Sequence, residues 1–433
     1  MRRKVRWARC LSVAVVVVAC IVVGGWPDYS ANGHLPKQEL SDADDLAKIL
    51  QLPDDQIDLP KTALIVARGL YPDMDVSRYL ALIDNTVHDF QKSYRSNASP
   101  RQIIDLMNRH IATMDVKYNS GSHYLTNVYD ERMGSCCGFS FLYLSIADRL
   151  GIPLYGIIAS DHMFICYSHE GIRINIETTG EGREEPDKWY IDNMLISPDV
   201  LARRVYLQPL SKAQSLAYLV VNRGVDFYNR HEYDLAIRDM NLALSVIPNL
   251  PESYANRAQA YRKLKKLPEA LKDFQECLRL NPSLAKGYVF RGYTYLDMGD
   301  IDKAQKDADA ALKLKDSLGD VYCLRGILAH KRGNSRTAFD DFNKAIMLDD
   351  RNTEAFCNRG ALYFEQQEWL LAMRDFDKAI KQDPYHSDSY RNRGSTYFKL
   401  KEPYKAISDY TSAIKYNPSD IDAYCQRGIV YAA

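Results

Sequence analysis

The chain has 433 residues, 46% apolar and 26% charged, and its 56 basic and 56 acidic side chains balance to zero net charge. That length accommodates two or three domains, and that composition is ordinary for folded soluble material. The balance excludes nucleic acid as a partner held by bulk charge, and nine cysteines without even, loop-rich spacing exclude a disulfide scaffold.

The first nine residues, MRRKVRWAR, carry five positive charges and no negative one, and an apolar run at 10–23 follows. Residues 1–26 therefore read as an export signal or membrane anchor, with the basic end left in the cytoplasm. The expected localisation is export across the inner membrane with a tether to it. Three fates stay open. Val17-Val18-Ala19-Cys20 resembles the lipobox of bacterial lipoproteins, which would place a lipid on Cys20. Val23-Gly24-Gly25 offers a cleavage site. The apolar segment 10–23 could also be retained, although it is brief for a bilayer. Residues 27–57, with Ser41-Asp42-Ala43-Asp44-Asp45 and Pro53-Asp54-Asp55, read as a linker with one short helix.

A domain is expected over 58–210. Leu64, Ala67 and Leu70, then Tyr79, Leu80, Ile83, Val87 and Phe90, then Ile103, Leu106, Met107, His110 and Ile111 have helical spacing. They predict three or four helices between Leu59 and Asp115. Cys136 follows Gly134-Ser135 and opens a helix to about Leu150, stopped by Gly151 and Pro153. Three extended runs follow, Leu154–Ala159, His162–Ser168 and Ile172–Glu177, the last two flanking a tight turn at His169-Glu170-Gly171. With that turn centred on His169-Glu170, His162 and Glu177 fall directly opposite each other. A thiol must ionise to attack, and helix N-terminal amides and an imidazole favour this. Cys136, His162 and Glu177 are thus the candidate nucleophile, base and orienting acid. Two other readings stand beside this one. Cys136, like Cys137 and Cys166, could be apolar filler. Cys136, Cys137, His162 and Cys166 could hold zinc, but vicinal cysteines chelate one ion poorly, so no metal or other cofactor is expected. Trp189-Tyr190-Ile191 is expected to pack beside the thiol cleft.

From about Asp58 to Leu210 the sequence resembles the transglutaminase-like superfamily, with its papain-like thiol fold. The resemblance rests on Gly134-Ser135-Cys136, on Phe139-Ser140 after it, on Gly151-Ile152-Pro153, and on a His opening one strand (His162) and an acid ending the next (Glu177). It implies an α+β domain of helices plus a small antiparallel sheet. It also implies attack by Cys136 on an amide carbonyl, resolved by water as hydrolysis or by an amine as crosslinking. Glu177 stands where Asp is usual, Asp161 stands where Gly is common, and Cys137 is an added thiol. The subgroup most resembled carries C-terminal repeats, and many of its members lack the Cys, so a non-catalytic scaffold is the alternative.

The second half repeats every 34 residues. Asn222-Arg223-Gly224 recurs as Asn256-Arg257-Ala258, Phe290-Arg291-Gly292, Leu324-Arg325-Gly326, Asn358-Arg359-Gly360, Asn392-Arg393-Gly394 and Gln426-Arg427-Gly428. Ala236, Ala270, Ala304, Ala338, Ala372 and Ala406 keep the same phase. Pro248, Pro282, Pro384 and Pro418 close units where a helix cannot continue. The pattern resembles the tetratricopeptide repeat, implying an all-α solenoid over 217–433, six complete units and a partial seventh, that binds protein or peptide. Each unit pairs its Arg with an Asp sixteen positions on, from Arg223/Asp239 to Arg393/Asp409. Those pairs predict a bidentate bridge between the unit's two helices. By phase, the partner-binding groove candidates are Val225, Tyr228, Lys263, Val289, Ile327, Lys331, Phe364, Phe398 and Lys399. The apolar–basic mixture suits an extended, partly acidic segment, with ordinary packing as the other reading of each Phe. The sequence stops within the first helix of the seventh unit, and since solenoids end in polar caps, a longer parent chain is expected.

Overall fold

The computed structural model describes residues 45–432. The export segment, its apolar run and Cys20 lie outside the described residues. Among the described residues no helix is long and apolar enough to cross a membrane. They form a helical and sheet-bearing domain followed by an array of paired helices, dividing after Ser283 into two compact units.

The first unit opens with helices α1 (Leu59–Arg68), α2 (Val76–Gln91) and α3 (Pro100–Ala112). Asp58 and Asp75 cap the first two through their carboxylates, and Ser99 with Gln102 forms a capping box on the third. A two-residue parallel pair, β1 (Lys117–Tyr118) and β2 (Met133–Gly134), leads into α4 (Cys136–Leu150). That helix is apolar on nearly every face and runs through the core, with Phe141, Leu142 and Ile146 fully buried. Gly151 ends it in the left-handed region at φ 65°. Strands β3 (Leu154–Ala159), β4 (His162–His169), β5 (Ile172–Glu177) and β6 (Arg183–Glu184) form an antiparallel sheet in sequence order. Two short helices follow, α5 (Asp187–Met194) and α6 (Pro198–Ala202).

Residues 46–57, read from sequence as linker, pack into this unit. Leu46, Leu50 and Ile57 join its core. Asp54 accepts a hydrogen bond from the Lys212 N–H at 2.9 Å. The acidic residues Asp45, Asp54 and Asp55 are exposed, while Leu46, Leu50 and Ile57 are buried.

The first two helix pairs of the array belong to the same unit: α7 (Lys212–Asn229) with α8 (Tyr233–Val246), and α9 (Pro251–Lys263) with α10 (Leu267–Leu280). Helix α7 starts at a Ser211/Gln214 capping box, and Leu216, Ala217, Leu219 and Val220 are all but inaccessible. The second unit stacks α11 (Ala285–Asp297) to α18 (Pro403–Tyr416) as four pairs, then α19 (Ile421–Ala432).

In all six pairs the expected Arg–Asp bridge forms. Each guanidinium reaches Asp through both Nε and Nη2, with Nε–Oδ2 separations of 2.6–2.8 Å. Five of the six also lie over an aromatic ring three residues earlier in the same helix, as Arg325 does over Tyr322 at 5.0 Å. The small residue after each Arg permits the close approach. A Cβ on Gly326 would fall 2.6 Å from Phe342.

Candidate active site

Helix α4 begins at Cys136 because Ser135 caps it, its hydroxyl accepting from the N–H groups of Cys137 (3.2 Å) and Gly138 (3.4 Å). Cys136 is half-buried and free, whereas Cys137 and Cys166 are sealed. Those two behave as packing. The Cys137 sulfur rests 3.9 Å from Met163 Sδ, and Cys166 donates to the Tyr167 carbonyl at 3.2 Å. Burial pushes both thiols up in pKa. Among the described residues no group of three or more His, Cys, Asp or Glu side chains is placed to hold a metal.

His162 and Glu177 meet, but through a different register from the one expected. His169 pairs with Ile172 and Ile165 with Ile176. The turn is therefore centred on Glu170-Gly171, whose φ angles of 50° and 80° are those of a two-residue hairpin turn. This offset of two residues puts Glu177 opposite the Phe164 position, diagonal to His162. A shift of two keeps both side chains on the same sheet face. His162 Nε2 and Glu177 Oε2 are 2.7 Å apart, both side chains buried. Glu177 Oε1 accepts from the Thr179 N–H at 3.0 Å and from its hydroxyl.

The Cys136 thiol, at the start of α4, lies within electrostatic reach of the imidazole. With Nε2 engaged by Glu177, Nδ1 is the nitrogen left for sulfur. Burial drives the His162 pKa down, but Glu177 and then Cys136 outweigh it and raise it to about 10. Burial likewise opposes the charge on Glu177, and His162 overcomes it to hold the carboxyl below its usual range. The site therefore carries a buried imidazolium–carboxylate pair at neutral pH.

Tyr190, from the aromatic trio, lies where the sequence suggested. Its ring stacks on Phe164 with centroids 3.7 Å apart and sits 6.3 Å from the His162 ring. Its buried hydroxyl lies beside Glu177. Two supports were not picked out from sequence. His123 Nδ1 lies 3.1 Å from the Ser135 hydroxyl that caps α4. Thr178, directly after the acid, contacts Ser140 at 3.3 Å and the Cys136 carbonyl at 3.5 Å. The Thr178-Thr179 pair following Glu177 was the available signal for the second. No spacing pointed to the first.

Of the groove candidates in the first unit, Val225 and Tyr228 are half-buried and Lys263 is exposed. In the second unit Val289 is wholly buried and belongs to the core, so it lines no groove. It lies two residues before its Arg, a phase also occupied by the buried Val221, Ala255, Cys323 and Cys357. Ile327, Phe364 and Phe398 are half-buried, with Phe364 edge-on to Trp369 at 5.0 Å, and Lys331 and Lys399 are exposed.

Residues 77–220 match the family model of the transglutaminase-like superfamily. Residues 251–284, 285–317 and 387–420 match tetratricopeptide repeat models. UPF0162 proteins of two strains of Xylella fastidiosa, 9a5c and Temecula1, are each 26% identical over 225 residues, covering 49% of this chain and 79% of theirs. A tetratricopeptide repeat protein from Parabacteroides merdae is similar over 57% of this chain and 94% of its own, at 22% identity and a TM-score of 0.41. YrrB, described as having an unusual peptide-binding site, is similar over 44% of this chain and 97% of its own, at 24% identity and a TM-score of 0.28. The chain thus fuses a transglutaminase-like domain to tetratricopeptide repeats.

Proposed function

We propose that this fusion is a cysteine acyltransferase or amidase, with Cys136 as nucleophile and the repeats holding the protein or peptide that carries the amide. The observation that carries this reading is the 2.7 Å contact of His162 with Glu177, with the half-buried Cys136 at the capped start of α4 within electrostatic reach of that imidazole.

The sulfur adds to the carbonyl carbon while its proton rests on His162 Nδ1. The Nδ1 proton then passes to the leaving nitrogen, the C–N bond breaks, and a thioester remains on Cys136. Glu177 stays ionised and holds Nε2–H, fixing the ring's tautomer and orientation. Water attacking the thioester gives the acid, and an amine gives a new amide. In both cases His162 takes the incoming nucleophile's proton and the sulfur is released. The exposed lysines and half-buried aromatics of the repeats suit an extended, partly acidic segment. The basic head and apolar run of residues 1–23 support export with a membrane tether, through Cys20 or through the run itself.

Iodoacetamide labelling of the folded chain tests the nucleophile. Cys136 should be alkylated at least tenfold faster than the exposed Cys425, and Cys136→Ala should abolish acylation by p-nitrophenyl acetate. Labelling of Cys136 no faster than Cys425 would leave an inactive scaffold as the reading.

A further inference from the structure

A cysteine that opens a helix is activated by the amides around it, and an amide that nothing else occupies can also serve the oxyanion its attack generates. At the start of α4 three amides have no partner within the helix, those of Cys136, Cys137 and Gly138. Phe139 already donates to the Ser135 carbonyl at 2.9 Å. The Ser135 hydroxyl takes the amides of Cys137 and Gly138. Among the described residues nothing takes the N–H of Cys136.

We propose that His123 is a positioning residue for this thiol: by accepting the Ser135 proton on Nδ1 it holds that hydroxyl's two lone pairs on the Cys137 and Gly138 amides and leaves the Cys136 N–H open to substrate. This inference rests on the reading of Cys136 as nucleophile.

Distances place His123 at this cap. Two backbone bonds lay residues 119–123 along the approach to α4. The Asn119 N–H donates to the Gly134 carbonyl at 3.0 Å, and the Ser135 N–H to the Ser122 carbonyl at 2.8 Å. The fit is close, since a Cβ on Gly138 would fall 2.6 Å from the Ser122 oxygen. His123 Nδ1 then lies 3.1 Å from Oγ of the buried Ser135. A hydroxyl has one proton and two lone pairs. With both lone pairs given to amides, only the proton remains for His123. Nδ1 is therefore the acceptor, and the ring is neutral with its own hydrogen on Nε2.

The groups around the ring agree with a neutral state. Asp226 of α7, held by the Tyr124 hydroxyl at 2.6 Å, favours the imidazolium, but burial outweighs it and keeps the His123 pKa below 6.5. The titratable groups at the start of α4 are Cys136 and Cys137, and burial keeps Cys137 a thiol. Two imidazoles thus serve one sulfur in opposite states, His162 charged beside Glu177 and His123 uncharged beside Ser135. Protonating His123 turns Nδ1 into a donor. Ser135 Oγ cannot accept three hydrogens, so the cap loosens.

The test measures alkylation of Cys136 by iodoacetamide in the full chain, with Cys425 as internal reference. His123→Leu fills the space without an acceptor, whereas His123→Asn offers Oδ1 near the Nδ1 position and does not titrate. At neutral pH His123→Leu should slow alkylation about fivefold, the worth of a helix cap, while His123→Asn stays within about twofold of wild type. The pH profile separates positioning from mere packing. The ratio of the wild-type rate to the His123→Asn rate should be level above pH 6.5 and fall as pH drops through the lowered His123 value. A level ratio across the whole range, or a wild-type rate in folded His123→Leu, overturns the assignment while leaving Cys136 as nucleophile. Wild-type Cys136 labelled no faster than Cys425 overturns the parent reading and this one together.

Discussion

The same charge pair occurs at the head of the array and deep within it, and the two settings differ in what the third guanidinium nitrogen finds. In Arg257, Arg359 and Arg393, Nη1 reaches back sixteen residues to the preceding repeat, to Asn241, Asn343 and Asp377 at 2.6–2.8 Å. Arg223 has no preceding repeat. Its Nη1 instead donates to the Val66 carbonyl of α1 at 3.1 Å, and its side chain is 4% exposed, against 34% for Arg325. The transglutaminase-like domain therefore occupies the place of a repeat before the first. It covers an apolar face that a solenoid must otherwise close with a polar cap.

Removing the acid from each setting is the strongest way to break that comparison. Asp239→Ala leaves a guanidinium stranded in the core and should cost about 3–5 kcal/mol, read by urea unfolding. Asp341→Ala frees a side chain that water already reaches and should cost about 1.5 kcal/mol. Equal losses would mean that the domain does not stand in for a repeat. Next in size is the buried pair that occurs once, in the site itself. Glu177→Gln should cost about 2–3 kcal/mol with a distinctive pH profile. The folded pKa of His162 is raised from 6.5 to about 10, so its contribution is complete below 6.5 and fades as pH climbs through about 10. Glu177 is lowered from 4.5, so its contribution is present above 4.5 and fades as pH falls through the lowered value. The advantage of wild type over the variant should peak between 4.5 and 6.5, and a flat difference in melting temperature across pH would count against the ion pair. The smallest effect belongs to the link between neighbouring repeats of the second unit. Asn343→Ala deletes the 2.7 Å contact to Arg359 and should cost about 1 kcal/mol. A loss as large as that of Asp341→Ala would show that coupling between repeats matters as much as bridging within one.

The array was legible because its contacts are local and recur. A fixed offset between Arg and Asp becomes a bridge wherever two short helices fold back on each other, and the phase is set by the small residue beside the Arg. The one phase error, Val289, came from mixing a buried register with surface ones. In the thiol domain the start of α4 was readable from its cap and its stop. The hairpin's register was not, since it turns on which two residues adopt positive φ, and Glu170 carries no mark of that. The contact of His162 with Glu177 survived because a slip of two preserves the face.

The division after Ser283 bears on how such a protein can change in evolution. Whole 34-residue modules can be gained or lost beyond that point by unequal recombination without disturbing the thiol centre. The first module cannot be traded in the same way, because its leading helix carries Leu216, Ala217, Leu219 and Val220 into the core beneath the site. Array length is free to drift while the opening helix stays tied to the core of the transglutaminase-like domain.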